Sequence, residues 1–322
     1  MARKVRIQYP GAIYHVMNRG DRREAIVADD PDRRRLLETL GEACEKTQWL
    51  VHAYCLMSNH FHLVVETPPP NLVAGVKWLL GTYTSRYNRR HQEFGHLFSG
   101  RYQALLVDGS GNGYLKTACD YVHLNPVRAA LLRPEQALSD FCWSSYPYYL
   151  RAASGWPLWL RVDRLLGEWG IPRDTVAGRS EFERRMEWRR QEGAESEFKP
   201  LERGWCLGSE QFRRELLEQV NTGPGPSHFG EAVQEAAEVR AERLVGEGLK
   251  ELGWAGEVLK ARRKGDPGKV KLARELRSKT TMPLAWITQR LWMGKRGYVA
   301  WLLSRGEKRP SPNAPKQPLL QI

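Results

Sequence analysis

Two histidines separated by one residue, His60 and His62, are the side chains of this sequence best suited to bind a metal ion. Residues two apart on a β-strand point to the same face, so both imidazoles would project together from a predicted strand over residues 60–66, with Phe61 on the opposite face. Two neutral imidazole nitrogens can hold one cation, but a catalytic site needs at least one more ligand and open positions for substrate oxygens. By itself, such a pair is more typical of ordinary core or surface histidines.

A tyrosine near the end of a predicted helix is the second candidate for chemistry. Tyr121 and Asn125 are four residues apart, hence on one helical face, and Pro126 stops the helix where Asn125 lies. A tyrosine hydroxyl can attack phosphorus if a metal ion polarises the phosphoryl group, and the Asn125 amide oxygen could be the third metal ligand. Tyr114 is a rival nucleophile, because it lies about two turns earlier on the same face. We prefer Tyr121, since only Tyr121 has the polar residue one turn later; the alternative is a half-buried tyrosine at a helix end.

The segments that must position these residues alternate between strand and helix patterns. These patterns predict strands over residues 13–17, 49–56, 60–66 and 102–107, and helices from about Asp29, over 71–90 and over 113–123. The order strand, helix, strand, strand, helix, strand, helix fits an antiparallel sheet with helices packed on one face. We therefore predict a ferredoxin-like α+β sandwich for residues 1–132.

Composition and charge limit the class of partner. The 322 residues carry a formal net charge of +13, which favours nucleic acid or an anionic membrane surface. Most of the excess lies between residues 256 and 309, where 15 Lys or Arg stand against 4 Asp or Glu, although such a run can also be a solvated tail. No apolar run is long enough to span a membrane and no apolar segment follows the basic N-terminus, so we predict a cytoplasmic protein without a membrane partner. The five cysteines show no C-x-x-C spacing, which favours reduced core thiols.

The sequence beyond Leu132 divides into three further segments. Residues 133–229 are rich in tryptophan and tyrosine, carry two amphipathic helical stretches and end near the glycine–proline run at 223–226; the pattern assigns them no role. Residues 230–306 are predicted to form a helical, basic domain. Residues 307–322 are rich in proline and polar residues and are predicted to be disordered.

Two short helices of the basic segment, over residues 283–291 and 296–303, have the length and the glycine-containing turn of a helix-turn-helix. Thr280 and Thr281 would cap the first of them. A small apolar core is expected from Leu284, Ile287, Leu291, Val299 and Leu302.

The second of these helices would enter the major groove of duplex DNA. Lys295, Arg296 and Tyr298, at its start, would lead the contacts. The alternative is a basic helical hairpin that only packs against the rest of the chain.

Four stretches of the first 132 residues occur together in a recognisable order. They are residues 14–20 (YHVMNRG), 57–65 (MSNHFHLVV), 95–102 (GHLFSGRY) and 121–128 (YVHLNPVR). With them the chain resembles the HUH single-tyrosine transposases of bacterial insertion sequences, the IS200-like superfamily, and among these the REP-associated tyrosine transposases most closely. Four ordered blocks are far more specific than either motif alone.

The resemblance implies an RRM-like α+β fold, a divalent Mg²⁺ or Mn²⁺ ion, and single-stranded DNA substrates that carry a hairpin beside the cleavage site. It implies that His60 and His62 bind the ion and that Tyr121 is the nucleophile. Asn125 stands where relatives place a polar residue that can complete the metal shell. The expected product is a 5′-phosphotyrosine with a free 3′-hydroxyl, and strand transfer reverses the attack.

Three arginines inside the matching blocks, Arg19, Arg101 and Arg128, could hold the DNA strand through its phosphates. Ala130 departs from the glycine that relatives often have at its position. The extension beyond Leu132 also exceeds the compact insertion-sequence enzymes, so a domesticated role at repeated palindromes is an alternative to transposition.

Two other functions stay open at this point. One is a catalytically silent, sequence-specific DNA-binding regulator, against which the intact set of His60, His62 and Tyr121 argues. The other is a replication initiator or relaxase-type nickase with the same chemistry. The chain could act as a monomer or a homodimer.

Overall fold

The computed structural model describes residues 7–98, 100–192, 195–222 and 228–305. The chain divides into two compact units, Met1–Phe229 and Gly230–Ile322. The predicted glycine–proline linker at 223–226 and the predicted disordered tail at 307–322 lie outside the described residues. Within those described ranges, no helix combines the length and the apolar character needed to cross a membrane.

The first unit is built on one five-stranded sheet. Its strands are β1 (Ala12–Arg19), β2 (Leu50–Leu56), β3 (His60–Thr67), β4 (Gln103–Val107) and β5 (Cys206–Leu207). They lie in the order β2-β3-β1-β4-β5, with β5 parallel to β4 and the other pairs antiparallel. The prediction of an α+β fold with four antiparallel strands is confirmed, whereas the two-residue β5 has no pattern that would predict it.

Two long helices, α1 (Asp30–Thr47) and α2 (Leu72–His91), cover one face of the sheet. Leu36 of α1 and Leu79 of α2 line the same small space as Phe61 of β3. All three side chains are buried. The apolar residues of β3 therefore pack against α1 and α2. The residues between them point to the opposite face of the sheet.

Local sequence explains where α1 begins and ends. The Asp29 side chain accepts a hydrogen bond of 3.0 Å from the backbone amide of Asp32, and Pro31 lies in the first turn. At the other end, Gln48 takes the left-handed conformation with a φ of +62°. The helix therefore begins where the sequence predicts, next to Asp29.

Helix α3 (Tyr114–His123) lies against the opposite face of the sheet. It starts after Gly113, whose φ of +80° is a left-handed conformation that glycine adopts without steric cost. α3 ends at His123, and Pro126, which has no amide hydrogen to donate, occupies the first turn of the short α4 (Asn125–Arg128). This arrangement carries Tyr121, in the last part of α3, to the side chains of the sheet.

The extension after Leu132 is mostly helical. Its helices are α5 (Tyr146–Tyr149), α6 (Asp163–Glu168), α7 (Val176–Glu192), α8 (Glu195–Arg203) and α9 (Glu210–Thr222). The two amphipathic stretches predicted in this segment lie within α7 and α9.

Aromatic residues of the extension form a core against the sheet. Tyr149 stacks on Phe182 with ring centroids 5.2 Å apart, and both are fully buried. The Tyr149 hydroxyl donates to the backbone oxygen of His52, on β2, at 2.5 Å. The Ser145 hydroxyl accepts from the backbone amide of Tyr54 at 2.9 Å. The tryptophan- and tyrosine-rich segment thus packs on the sheet as part of the first unit.

The second unit is helical. Its helices are α10 (His228–Glu251), α11 (Val258–Ala261), α12 (Pro267–Lys279), α13 (Leu284–Arg290) and α14 (Arg296–Ser304). Ile287, Leu291 and Val299 are fully buried in its core, and Leu284 and Leu302 pack against them, as predicted.

The start of α13 differs from the prediction. Its N-cap is Pro283, and no side chain caps it. Thr280 instead ends α12, where its hydroxyl donates to the backbone oxygen of Leu276 at 2.6 Å. A threonine hydroxyl can serve either helix end, and here the nearer helix uses it.

Candidate active site

The alternation of β3 places its two histidines on the face of the sheet opposite to Phe61. His60 lies across from Arg19 of β1, and His62 lies across from Met17. The two imidazole centroids are 5.0 Å apart, with the ring planes at 82°. The pair predicted from the sequence therefore projects to one place on the sheet.

Each of these imidazoles uses its Nδ1 within the protein. His60 Nδ1 lies 2.7 Å from the side-chain oxygen of Asn59, and His62 Nδ1 lies 2.9 Å from Nε2 of His15. Nε2 of His60 and of His62 is thereby the nitrogen that each ring can offer to a metal ion.

Burial keeps these rings neutral. Desolvation, together with the nearby charge of Arg19, lowers the pKa of His60 to about 4. Desolvation also lowers the pKa of His62 well below its usual range and that of His15 to about 4. At neutral pH all three are therefore imidazoles, which is the form that binds metal ions.

Tyr121 brings its phenol ring from α3 to the histidines. The ring centroid is 5.5 Å from that of His62 and 5.4 Å from that of His15, edge-on to both. The guanidinium of Arg128 lies over the phenol, 4.5 Å from its centroid. Burial lowers the pKa of Arg128, but its interactions with Tyr121 and Glu202 outweigh this and raise the pKa. A cation in this place can stabilise negative charge that develops on the phenol oxygen.

Tyr114, the rival nucleophile, lies elsewhere on α3. It is the first residue of the helix, about two turns or roughly 10 Å along the axis from Tyr121. It is half-buried. Within the described part of the chain, the ring contacts that reach His15 and His62 from α3 are those of Tyr121.

Asn125 is the group of suitable chemistry for a third ligand. It lies at the start of α4, is 6% exposed, and its amide nitrogen has no hydrogen-bond partner in the described structure. No group of three or more His, Cys, Asp or Glu among the described residues is placed to hold a metal ion. An amide oxygen is a ligand that divalent ions accept beside imidazole nitrogens. Two neutral imidazoles and one amide fit a divalent ion.

His15 was not singled out by sequence reasoning, although a signal for it existed. It lies in the YHVMNRG block on β1, and the alternation of that strand places it on the same face as Met17 and Arg19. What the sequence lacks is the register between β1 and β3, which sets His15 across from Val64 and diagonally from His62.

The extension contributes the outer cover of the tyrosine. Phe198 of α8 is 2% exposed and packs against Tyr121 with centroids 5.4 Å apart. Glu202, one turn further along α8, forms an ion pair of 2.5 Å with Arg128. As a result Tyr121 is only 7% exposed. Nothing in the tryptophan- and tyrosine-rich pattern linked α8 to this place.

A family model matches the part of the chain that contains most of these residues. Residues 8–125 match the model of the family described as IS200-like transposases. That range contains His15, His60, His62, Tyr121 and Asn125. Residues 8–125 are an IS200-like transposase domain.

Curated proteins and solved structures give no further support for a function. No curated protein matches the chain. Part of the chain is similar to a solved REP-associated tyrosine transposase bound to a REP hairpin. The match covers 51% of this chain and 93% of the other, with 14% sequence identity and a TM-score of 0.41. The assignment of the transposase domain rests on the family match.

The predicted DNA contacts are distributed over both units. In the transposase domain, Arg19 is half-buried beside His60, and Arg101 is exposed just before β4. Arg128, three residues beyond the end of the matched segment, lies over Tyr121. In the second unit, the predicted contacts Lys295, Arg296 and Tyr298 are exposed at the start of α14.

Proposed function

We propose that the transposase domain cuts and rejoins single-stranded DNA next to a hairpin, with Tyr121 as the covalent nucleophile. One observation carries this proposal: the Tyr121 ring packs against His62 at 5.5 Å, beside the pair that can hold a divalent ion. A nucleophile and a metal site so close together fit phosphoryl transfer.

The reaction is a transesterification. The Tyr121 oxygen attacks the scissile phosphorus as it loses its proton, and the bond from phosphorus to the 3′-oxygen breaks. The products are a 5′-phosphotyrosine and a free 3′-hydroxyl, so the bond energy is kept and a second 3′-hydroxyl can reverse the step. Arg128, 4.5 Å from the phenol centroid, would stabilise the developing negative charge.

Other residues of this face would bind and orient the substrate. Arg19, across from His60, is suited to hold the scissile phosphate, and Arg101 a phosphate further along the strand. Mg²⁺ or Mn²⁺, held by Nε2 of His60 and His62 with the amide oxygen of Asn125, would polarise the phosphoryl oxygen.

The nucleophile is tested by adduct formation with the full chain. A single-stranded oligonucleotide with a hairpin, labelled downstream of the cleavage site, is incubated with protein and Mn²⁺ and run on a denaturing gel. We expect a covalent adduct for wild type and for Tyr114→Phe, and none for Tyr121→Phe. An adduct that persists in Tyr121→Phe and disappears in Tyr114→Phe would assign the reaction to Tyr114.

The metal site is tested without catalysis. Mn²⁺ is titrated into wild type, His62→Ala and Asn125→Ala, and binding is followed by calorimetry. We expect a large loss of affinity for His62→Ala and a smaller one for Asn125→Ala, since an amide is a weaker ligand than an imidazole in this set. Unchanged binding in His62→Ala would remove the metal site from the proposal.

We also propose that the helical unit binds duplex DNA, such as the stem of the hairpin, through a helix-turn-helix made by α13 and α14. The exposed Lys295, Arg296 and Tyr298 at the start of α14 support this. In the full chain, Arg296→Ala should weaken duplex binding. The slope of log binding constant against log salt concentration should become shallower by about 1, as expected for the loss of one phosphate contact. Duplex binding without any adduct in wild type would instead favour the catalytically silent regulator.

Nicking by a replication initiator or relaxase would share the same adduct. The flanking DNA, rather than the reaction, separates it from transposition. Sequencing of the joined products from an oligonucleotide mixture distinguishes strand transfer to a second site from simple rejoining.

A further inference from the structure

We infer that His15 is a positioning residue, which sets the proton of His62 so that Nε2 of His62 is free to bind the divalent ion. This inference rests on the proposed function, because it concerns the same metal site. It assigns a role to a side chain that is neither a metal ligand nor the nucleophile.

The geometry of the two rings carries the inference. Nε2 of His15 lies 2.9 Å from Nδ1 of His62, which is hydrogen-bond distance. The rings are nearly parallel, with planes at 8° and centroids 5.2 Å apart. Both side chains are buried, with exposed fractions of 4% and 3%, so water cannot readily replace this partner.

A hydrogen bond between two imidazole nitrogens holds one proton, and its position decides what His62 can do. If the proton is on Nε2 of His15, Nδ1 of His62 accepts, and neutral His62 carries its own proton on Nε2, where it blocks a metal ion. If the proton is on Nδ1 of His62, Nε2 of His62 keeps its lone pair. Metal binding through Nε2 therefore requires His15 to act as the acceptor, with its own proton on Nδ1.

His15 also contacts the nucleophile. Tyr121 is edge-on to His15 and to His62 at nearly equal distances, 5.4 and 5.5 Å. One buried side chain of β1 thus fixes the orientation of a ligand from β3 and supports the ring from α3. An outer partner that fixes the tautomer and orientation of a metal-binding histidine commonly changes metal affinity by about 10- to 100-fold.

The experiment measures Mn²⁺ affinity of the full chain by calorimetry, without DNA. We expect His15→Leu to bind Mn²⁺ about 10- to 100-fold more weakly than wild type. His15→Gln should recover most of the affinity, because its amide oxygen can reach and accept from Nδ1 of His62. The matched control is His52→Gln, which changes another fully buried histidine, bonded to Glu66 on the same sheet, and should leave Mn²⁺ affinity unchanged.

Folding is checked by thermal melting of each variant. If His15→Leu does not fold, His15→Asn replaces it, since its shorter amide cannot reach Nδ1 and should lose affinity where His15→Gln keeps it. Wild-type affinity in a folded His15→Leu, or equal affinities in His15→Asn and His15→Gln, overturns the inference. If His62 does not bind the ion at all, the result is different. His62→Ala then binds Mn²⁺ like wild type, which contradicts both the proposed metal site and the role of His15.

Discussion

The two faces of the sheet in the first unit are built from the same strands but have opposite chemistry. On one face, Phe61 and Leu63 of β3 pack under α1 and α2. On the other face, His60 and His62 of the same strand meet the ring of Tyr121 from α3. The apolar face is covered by the long helices that follow β1 and β3, and the histidine face is covered by α3 and the extension.

This difference shows that one stretch of alternating residues serves folding and function at once. Residues one apart on β3 can be changed with separate consequences, because each faces a different layer. Substitutions toward α1 and α2 should mainly reduce stability. Substitutions toward α3 should mainly reduce activity. Burial lowers the pKa values of the two histidines, and burying these polar rings reduces the stability of the fold.

The largest expected effect is on the histidine face. His62→Ala should reduce the rate of adduct formation by on the order of 1000-fold, about 4 kcal/mol, because the proposed ion would lose a ligand and would no longer be held to polarise the phosphate. Its free energy of unfolding, measured with urea, should change by much less. A loss of stability as large as the loss of activity would contradict the separation of the two faces.

The next effect is on the apolar face. Phe61→Ala should lower the free energy of unfolding by about 3 to 5 kcal/mol, since it leaves a cavity beneath α1 and α2. Urea denaturation followed by circular dichroism measures this. His60→Ala, one residue earlier and half-buried, is the control, and we expect it to change the unfolding free energy by less than about 1.5 kcal/mol.

A third prediction concerns Asp120 of α3, which is fully buried next to Lys116 and Arg189. Burial raises the pKa of Asp120 from its usual value to about 6. The positive charges of Lys116 and Arg189 lower this pKa but do not outweigh burial. The folded protein then binds more protons than the unfolded chain between pH 4 and 6. Its stability should therefore fall as pH rises through this window, by roughly 2 to 3 kcal/mol.

Asp120→Asn tests this directly. The variant should lack the fall in stability between pH 4 and 6 that wild type shows in urea titrations. The substitution also removes one of the two carboxylates beside Arg189, at 2.9 Å, and leaves the pair with Glu197. The comparison therefore concerns the slope with pH and not the absolute stability. Parallel pH profiles for the two proteins would show that Asp120 ionises normally in the fold.

The smallest effect is expected where the extension meets the site. Glu202 and Arg128 form an ion pair whose side chains are 43% and 29% exposed. Glu202→Gln should therefore change the free energy of unfolding by less than about 1 kcal/mol. A larger change in thermal melting would indicate that α8 holds the histidine face much more firmly than its surface ion pair suggests.

Much of the transposase domain could be predicted from local patterns. The alternation in β3 predicted that His60 and His62 share one face, and Pro126 predicted that α3 ends before it. These are properties of neighbouring residues in one element, where strand and helix periods are fixed. The apolar core of α13 and α14 was predicted for the same reason. Asn125, four residues after Tyr121, lies in α4 and not in the same helix.

The missed features all depend on pairs far apart in the sequence. His15 meets His62 only through the register of β1 and β3, and Phe198 reaches Tyr121 only because α8 packs across α3. A two-residue strand such as β5 has too few positions to show an alternation. Tertiary packing, which a single sequence does not encode in any local period, decides each of these.

Because β5 pairs with β4, the open side of β4 is covered by residues about a hundred positions further along the chain. The backbone amide of Leu106 donates to the backbone oxygen of Trp205 at 3.1 Å, and the backbone amide of Asp108 donates to that of Leu207 at 2.8 Å. A chain shortened to the matched family segment would present these amides unpaired, as a template for strands of other molecules and hence for aggregation. Moving the matched segment alone into another protein would require a substitute for β5 at this edge of the sheet.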